Sequence, residues 1–253
     1  MTRIVVRTPI APVLGEKRAA STQTNQLLYG HAAEVISAEG TWLRLRGPDG
    51  YEGWMHEGYT VRSTTDAPSE WAWDVDGELS MGCSIRDSRG LTLDLPLGAV
   101  VRDGRCIAGR SMELARRRET FPPTAEAIVA SALALFQGTY YQWGGITPWG
   151  ADCSGFVQSI FALHGVQLPR DAWQQSESGT DAGAWQELRP ADLAFFTDRE
   201  DKRVTHVAIA LGDRRLVHLA LGRGGYATES LDDTEDGYVL KLRERFLKAK
   251  RIL

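Results

Sequence analysis

The sequence predicts an α+β fold, and three observations carry that prediction. Up to about residue 120 the chain consists of short apolar runs broken by Gly, Pro and Asp. Two helix-length apolar stretches with start and stop signals follow, and strand-like runs return after about residue 190. Helices first and antiparallel strands second is the α+β order.

In the first half, Ala33-Glu-Val-Ile-Ser, Thr41-Trp-Leu-Arg-Leu-Arg and Tyr59-Thr-Val-Arg have the length and alternation of half-buried strands. In Trp42-Leu43-Arg44-Leu45-Arg46 the leucines point one way and the arginines the other. Gly47-Pro48-Asp49-Gly50 then turns the chain, and Tyr51-Glu-Gly-Trp54-Met-His begins the next strand. This spacing fits a small β-barrel over 1–65, with Trp42 and Trp54 in its core or at an interface. A fainter second module is expected over 66–118, from Trp71-Ala-Trp73-Asp-Val, Ser84-Ile-Arg, Leu91-Thr-Leu-Asp-Leu95-Pro-Leu-Gly and Ala99-Val-Val-Arg. The boundary falls at 63–69, a stretch poor in large apolar residues.

The third region, 119–253, opens where Phe121-Pro122-Pro123-Thr124 ends the β pattern. Thr124 caps a helix through Ile128, Val129, Leu133 and Phe136. After a Gly-rich turn at 138–150, a second helix over 153–164 carries Phe156, Val157, Ile160, Phe161 and Leu163 and stops at Gly165. Strands follow at Asp192-Leu-Ala-Phe-Phe, Thr205-His-Val-Ala-Ile-Ala-Leu and Leu216-Val-His-Leu-Ala.

Composition bounds the function. The 253 residues carry a formal charge of −4, with 43% apolar and 25% charged residues, so a folded globular chain of one to three domains is expected. The acidic balance gives no general attraction to phosphate backbones, and the basic runs Arg116-Arg117-Arg118 and 241–251 are local, the latter reading as a solvated face. No stretch reaches the roughly 18 apolar residues of a membrane helix, and the opening Met1-Thr-Arg-Ile-Val-Val-Arg lacks the apolar core of a signal peptide. Neither nucleic acid nor membrane is an expected partner; a cytoplasmic monomer is expected. Three cysteines make no disulfide framework. Cys83 and Cys106 read as small apolar core residues, with a disulfide between them left open.

Cys153 has the most informative setting. Gly150-Ala151-Asp152 precedes it as a turn and the apolar helix follows, so its thiol sits at a helix N-terminus. Unpaired amides there favour an anion by about 0.3–1 kcal/mol, up to ~2 when partly buried, and help lower a thiol pKa from about 8.5. That alone is too little, so a nucleophile here needs a histidine to take the proton. His206 and His218 lie on successive strands with Gly212-Asp213 between them. An odd connection or a bulge would put both rings on one face, where His218 could orient His206; a two-residue loop would send them to opposite faces. Taken singly, Cys153 reads as a buried structural thiol, and His31, His56 and His164 as structural or solvated. Zinc held by Cys153, His206 and His218 would lack a fourth ligand, so no metal and no cofactor is expected.

The ordered runs Tyr141-Gln-Trp-Gly-Gly-Ile-Thr-Pro-Trp-Gly-Ala-Asp-Cys153-Ser-Gly-Phe, Leu168-Pro-Arg-Asp-Ala, Asp192-Leu-Ala-Phe-Phe, Thr205-His-Val-Ala-Ile-Ala-Leu-Gly and Leu216-Val-His218 resemble the motifs of the NlpC/P60 cysteine peptidases over about 121–253. Gln26-Leu-Leu-Tyr-Gly, Trp42-Leu-Arg-Leu and Tyr51-Glu-Gly-Trp54 resemble bacterial SH3 (SH3b) domains. The combination is similar to the γ-D-glutamyl-L-diamino-acid endopeptidases that trim murein peptides. The resemblance implies two SH3-like barrels before a papain-like domain, with a murein tripeptide or tetrapeptide as substrate. Carried over, Cys153 is the nucleophile, His206 the base, His218 the orienter, and Tyr141 with the Cys153 amide stabilises the oxyanion. Asp152 and Ser154 grip the free α-amine and the D-Glu carboxylate, Arg170 and Asp171 join the substrate contacts, and Tyr51 closes the pocket from the first module.

Some positions depart from the pattern. Leu28-Tyr29-Gly30-His31 replaces Leu-Tyr-Gly-Glu, leaving Glu16 or Glu34 as the amine clamp. Pro169-Arg170-Asp171-Ala172 lacks a hydroxyl expected near the D-Glu carboxylate, and Ala191-Asp192-Leu193 replaces Gly-Asp-Leu. Two rival readings remain: an idle wall-binding SH3b protein, and another thiol acyltransferase or amidase on the same fold.

Overall fold

The computed structural model describes residues 2–62, 77–87, 89–102 and 106–253. The expected strand at 71–75, with Trp71 and Trp73, and the boundary at 63–69 lie outside the described residues. The chain divides into two compact units, Met1–Thr120 and Phe121–Leu253.

The first unit opens with β1 (Arg3–Val6), β2 (Ile10–Leu14) and β3 (Gln23–Leu28). It continues through β4 (Ala32–Glu39), β5 (Trp42–Arg46), β6 (Glu52–His56) and β7 (Thr60–Arg62). These form one antiparallel sheet in the order β3-β2-β6-β5-β4-β1-β7. Ile4, Val6, Val13, Leu27, Leu45 and Met55 fill its core, and alternation puts Arg44 and Arg46 outside, where both reach Glu52. The same alternation takes Trp42 and Trp54 out of the core, the first of the two placements expected for them. They share the outer face, half-buried, with Trp42 edge-on to His56 at 5.3 Å and Trp54 beneath Lys17.

A second sheet in this unit is built on β8 (Glu78–Arg86), which pairs with β9 (Thr92–Leu95), β10 (Val100–Val101) and β11 (Ala108–Glu113). The sheets meet through backbone: the Val100 amide donates to Tyr29 O at 2.8 Å, and His31 Nε2 donates to Gly98 O at 3.0 Å. Gly30 is needed at this seam, since it has φ 78° and a Cβ there would lie 1.9 Å from Val100 O. Cys83 and Cys106 are joined as a disulfide, not packed as separate core thiols, because Cys106 leads into β11, which pairs with β8 beside Cys83.

The second unit begins near the short helix α1 (Arg117–Thr120) with α2 (Ala125–Leu135), capped by the Thr124 hydroxyl at Ala127 N. A small ribbon, β12 (Ile146–Thr147) with β13 (Gly150–Ala151), leads into α3 (Cys153–Leu163). Next come α4 (Ala172–Gln175), β14 (Thr180–Asp181), β15 (Leu193–Phe196), β16 (His206–Gly212), β17 (Arg215–Ala220) and β18 (Gly225–Ser230). The chain ends with α5 (Gly237–Glu244) and β19 (Phe246–Arg251). The six-stranded antiparallel sheet runs β14-β19-β15-β16-β17-β18, and α3 packs on β16 and β17. Every residue of α3 except Ser159 is buried, a wider face than its apolar stripe alone requires.

The basic run 241–251, expected as a solvated face, is half helix and half an inner strand. β19 lies between β14 and β15 and buries only Ala249. Its cations find acids: Lys248 meets Glu177 at 2.6 Å, and Arg251 pairs with the buried Asp192 at 2.7 Å.

His31 gives the first unit a pH dependence. Burial pushes its pKa down to about 4 from an ordinary 6.5, so between these values the unfolded chain binds a proton the native state refuses. Stability therefore falls as pH drops from 6.5 to 4, by about 3 kcal/mol in all. Urea titrations at a series of pH values should show this loss in the full chain and a smaller one in His31→Gln.

Candidate active site

The site is assembled at the start of α3. Asp152 is its N-cap: Oδ1 accepts from Gly155 N at 2.7 Å and Oδ2 from Gly144 N at 2.8 Å. Arg170, fully buried, donates Nη1 to Oδ1 at 2.9 Å and Nη2 to Oδ2 at 2.6 Å, and Nη1 also reaches Ser154 Oγ at 2.9 Å. With the Ser154 hydroxyl also on Oδ1 at 3.3 Å, five donors converge on a group with about four lone-pair directions. An arriving ammonium would have to share them. The structure thus brings Asp152, Ser154 and Arg170 together as the frame of the helix start. Asp171 follows outside it, half-buried, accepting from Trp173 Nε1 at 3.3 Å, with its carboxyl pushed up by burial.

Cys153 is the first residue of α3 and is 5% exposed. The setting does not lower its pKa as the helix terminus alone suggests. Burial, and then the Asp152 charge, push the thiol up to about 12, against hydrogen bonds from the Val207 and Ser154 amides and the charge of Arg170. A helix end is worth at most about 2 kcal/mol and does not offset this desolvation. The resting sulfur is a thiol, and its proton needs an acceptor in contact.

The Val207 amide places that sulfur against β16 next to His206. Burial and the neighbouring His218 hold His206 well below its ordinary value, so its ring is neutral and able to accept a proton. His206 Nε2 meets His218 Nδ1 at 2.9 Å. The hairpin explains the meeting. Asp213 and Arg214, with φ 47° and 56°, make a two-residue turn of the kind that matches strand twist, and a bulge between Ala210 and Gly212 restores the parity such a loop would lose. Ile209 pairs with Val217, so His218 falls opposite Ala208 and the histidines are diagonal neighbours on one face. The bulge, one of the two routes open from sequence, is what puts both rings on one face.

Behind His218 lies a residue that the sequence reading missed. Glu229, on β18 and 5% exposed, faces His218 Nε2 at 3.4 Å. Burial pulls Glu229 upward, but hydrogen bonds from His218 and Arg223 hold it below the usual glutamate range. Arg223 grips it at 2.8 and 3.0 Å, bonds Asp236, the N-cap of α5, and lies over the Tyr238 ring at 4.3 Å. The Glu229 carboxylate accepts a hydrogen bond from His218 Nε2, and the tautomer that carries its proton there alone has Nδ1 as acceptor. His206 must then donate from Nε2, which frees its Nδ1 for the thiol. Thr228-Glu229-Ser230 reads as a polar surface strand, so no signal marked this acid.

Tyr141 and His206 line one cavity of about 250 Å³. Burial, Cys153 and Asp152 all raise the Tyr141 pKa, keeping the phenol a donor. Tyr51 belongs to the first unit, where its ring packs on that core, as do Glu16, paired with Arg18, and Glu34, near Arg46. His164 bonds Pro122 O and Ser131 Oγ, and His56 caps a turn, so both are structural, as expected. Among the described residues no cluster of three or more His, Cys, Asp or Glu could hold a metal ion.

The chain has recognisable relatives. A family model described as NlpC/P60 family matches residues 138–239, and one described as bacterial SH3 domain matches 15–61. A gamma-D-glutamyl-L-lysine dipeptidyl-peptidase of Bacillus subtilis (strain 168) is 30% identical over 242 residues, covering 86% of this chain and 78% of that protein. A protein of the same name from Bacillus cereus (strain ATCC 10987 / NRS 248) is 25% identical over 265 residues, covering 92% and 76%. The crystal structure of an NlpC/P60 family protein from Bacillus cereus ATCC 10987 matches 99% of both chains with a TM-score of 0.79 at 20% identity, which shows a shared fold.

If Glu229 sets the tautomer and supports the charged imidazole, Glu229→Gln removes a charge-assisted hydrogen bond of about 1.5–3 kcal/mol. Iodoacetamide labelling of Cys153 at pH 7 should slow by about tenfold or more, with the acid limb of its pH profile moved to lower pH. An unchanged rate and profile would remove Glu229 from the relay.

Proposed function

The chain belongs to the NlpC/P60 family and is a cysteine peptidase; from that premise we propose that it hydrolyses the γ-D-glutamyl-L-diamino acid bond of murein stem peptides with a free N-terminal L-Ala. The observation that carries this reading is the Cys153–His206–His218 arrangement: a thiol at a helix start held by the Val207 amide, with the neighbouring residue His206 hydrogen-bonded to His218. The B. subtilis relative, named for the γ-D-glutamyl-L-lysine bond and alike over most of both chains, supports the bond chosen. Its name also supports release of a dipeptide, which calls for an unblocked N-terminus in the substrate.

In this mechanism His206 Nδ1 takes the thiol proton as Cys153 Sγ attacks the γ-carbonyl carbon. The Cys153 amide and the Tyr141 hydroxyl donate to the developing oxyanion, a type of contact worth about 2.7–4 kcal/mol per donor. Collapse breaks the C–N bond, the proton on His206 passes to the leaving amine, and a thioester remains on Cys153. Water, deprotonated by His206, then hydrolyses the thioester and restores the thiol. Because the resting pair is neutral, the thiolate exists only while His206 holds the proton. We also read β8–β11 as a second, divergent SH3-like module, on the strength of their own antiparallel sheet in the first unit.

Cys153→Ala should abolish release of L-Ala-γ-D-Glu from L-Ala-γ-D-Glu-L-Lys, followed by mass spectrometry, with the circular dichroism spectrum unchanged. Acetylating the N-terminal amine should lower kcat/KM at least a hundredfold; equal cleavage of the blocked peptide would remove the free-amine requirement.

A further inference from the structure

The cavity lined by Tyr141 and His206 has a wall that the mechanism above does not use. α5 brings Lys241 to it, and Arg245 follows at the helix end, four residues on and therefore on the same face. Both are exposed, and no carboxylate pairs with either among the described residues. The other cations nearby are committed: Arg243 to Leu231 O and the Trp185 ring, Lys248 to Glu177, Arg251 to Asp192 and Arg223 to Glu229. Asp198 is the one acid among the lining residues, and it already accepts from the Thr205 hydroxyl at 3.2 Å. Cations in the last turn of a helix complement its dipole, which accounts for their place on α5. It does not account for two cations set against a single carboxylate around the space that holds the catalytic base, which leaves one positive charge in excess.

The chemistry decides what would occupy that space. His206 must deliver its proton to the departing nitrogen, so the fragment carrying that nitrogen lies along the wall shared with His206. On the reading under Proposed function, this fragment is a diamino acid bearing at least one carboxylate. We propose that Lys241 and Arg245 form a carboxylate-binding subsite for the leaving fragment and make the enzyme prefer substrates with an anion on that side of the bond. The anion is either the α-carboxylate of the terminal residue or a side-chain carboxylate of a diaminopimelate-type residue. Arg can take a carboxylate bidentately and Lys adds a point charge.

The test compares kcat/KM for L-Ala-γ-D-Glu-L-Lys, its C-terminal amide, and the C-terminal amide of the diaminopimelate tripeptide. Wild type and the double variant Lys241→Gln, Arg245→Gln are assayed in parallel; both positions are exposed, so the fold should not change. Wild type should cleave the lysine acid at least tenfold better than its amide, mainly through KM. That advantage should shrink with added salt and disappear in the double variant. If the diaminopimelate amide regains the loss, the side-chain carboxylate can fill the subsite; if not, the α-carboxylate is its ligand. Equal cleavage of acid and amide by wild type overturns the subsite while leaving the peptidase reading intact, as does a preference that survives in the double variant. No turnover of any of the three peptides overturns the reading under Proposed function and the subsite with it.

Discussion

The site depends on one contact, the 2.9 Å approach of His206 Nε2 to His218 Nδ1 across β16 and β17. Burial raises the thiol to about 12 and depresses His206, so neither partner of the nucleophilic pair is charged at rest. An ion pair formed in such a place is favourable only if the new imidazolium finds an acceptor already aimed at it. His218 supplies that acceptor, and Glu229 with Arg223 fixes which of its nitrogens faces forward. The protein therefore does not store a thiolate. It stores the geometry in which one can be made.

A second constraint holds the sulfur end. The Asp152–Arg170 pair lies just before Cys153 with side chains 7% and 1% exposed. Removing one member of such a pair typically costs 3–5 kcal/mol, because the other is left buried and unmatched. Here the same carboxylate caps α3 and ties down Gly144, while Arg170 also reaches Gly145 O at 3.3 Å. Gly155 must lack a side chain, since a Cβ would lie 2.1 Å from Gly145 O. The helix start and the turn before it are thus fixed to one another by charge and close backbone contact.

What could be read from the sequence were the features with local physical signatures. Thr124 and the prolines before it announced α2, the apolar stripe announced α3, and leucine–arginine alternation announced β5 with the correct face inward. Cys153, His206 and His218, each structural when taken singly, stood out through the ordered runs around them, which resemble the NlpC/P60 motifs. Features set by distant partners stayed hidden. Asp152 looked like a free anion because its countercharge is 18 residues away in Arg170. β19 looked like a solvated face because the acids that meet Lys248 and Arg251, Glu177 and Asp192, lie 71 and 59 residues away in sequence. Glu229 gave no sign, since only the sheet order puts it behind His218. The thiol's raised pKa reflects packing from several elements at once, which no single stretch of chain encodes.

The β16–β17 hairpin tip carries a consequence for how this protein can change over evolution. Connections at the surface ordinarily absorb added or lost residues, and the Asp213-Arg214 corner is exposed. Here chain length at the corner, together with the bulge beside it, decides whether the two imidazoles share a side of the sheet. A single-residue indel would rotate one of them out of the cleft while leaving a stable, well-ordered hairpin. Lineages should therefore vary this corner in composition but not in count, although nothing there touches a reacting atom.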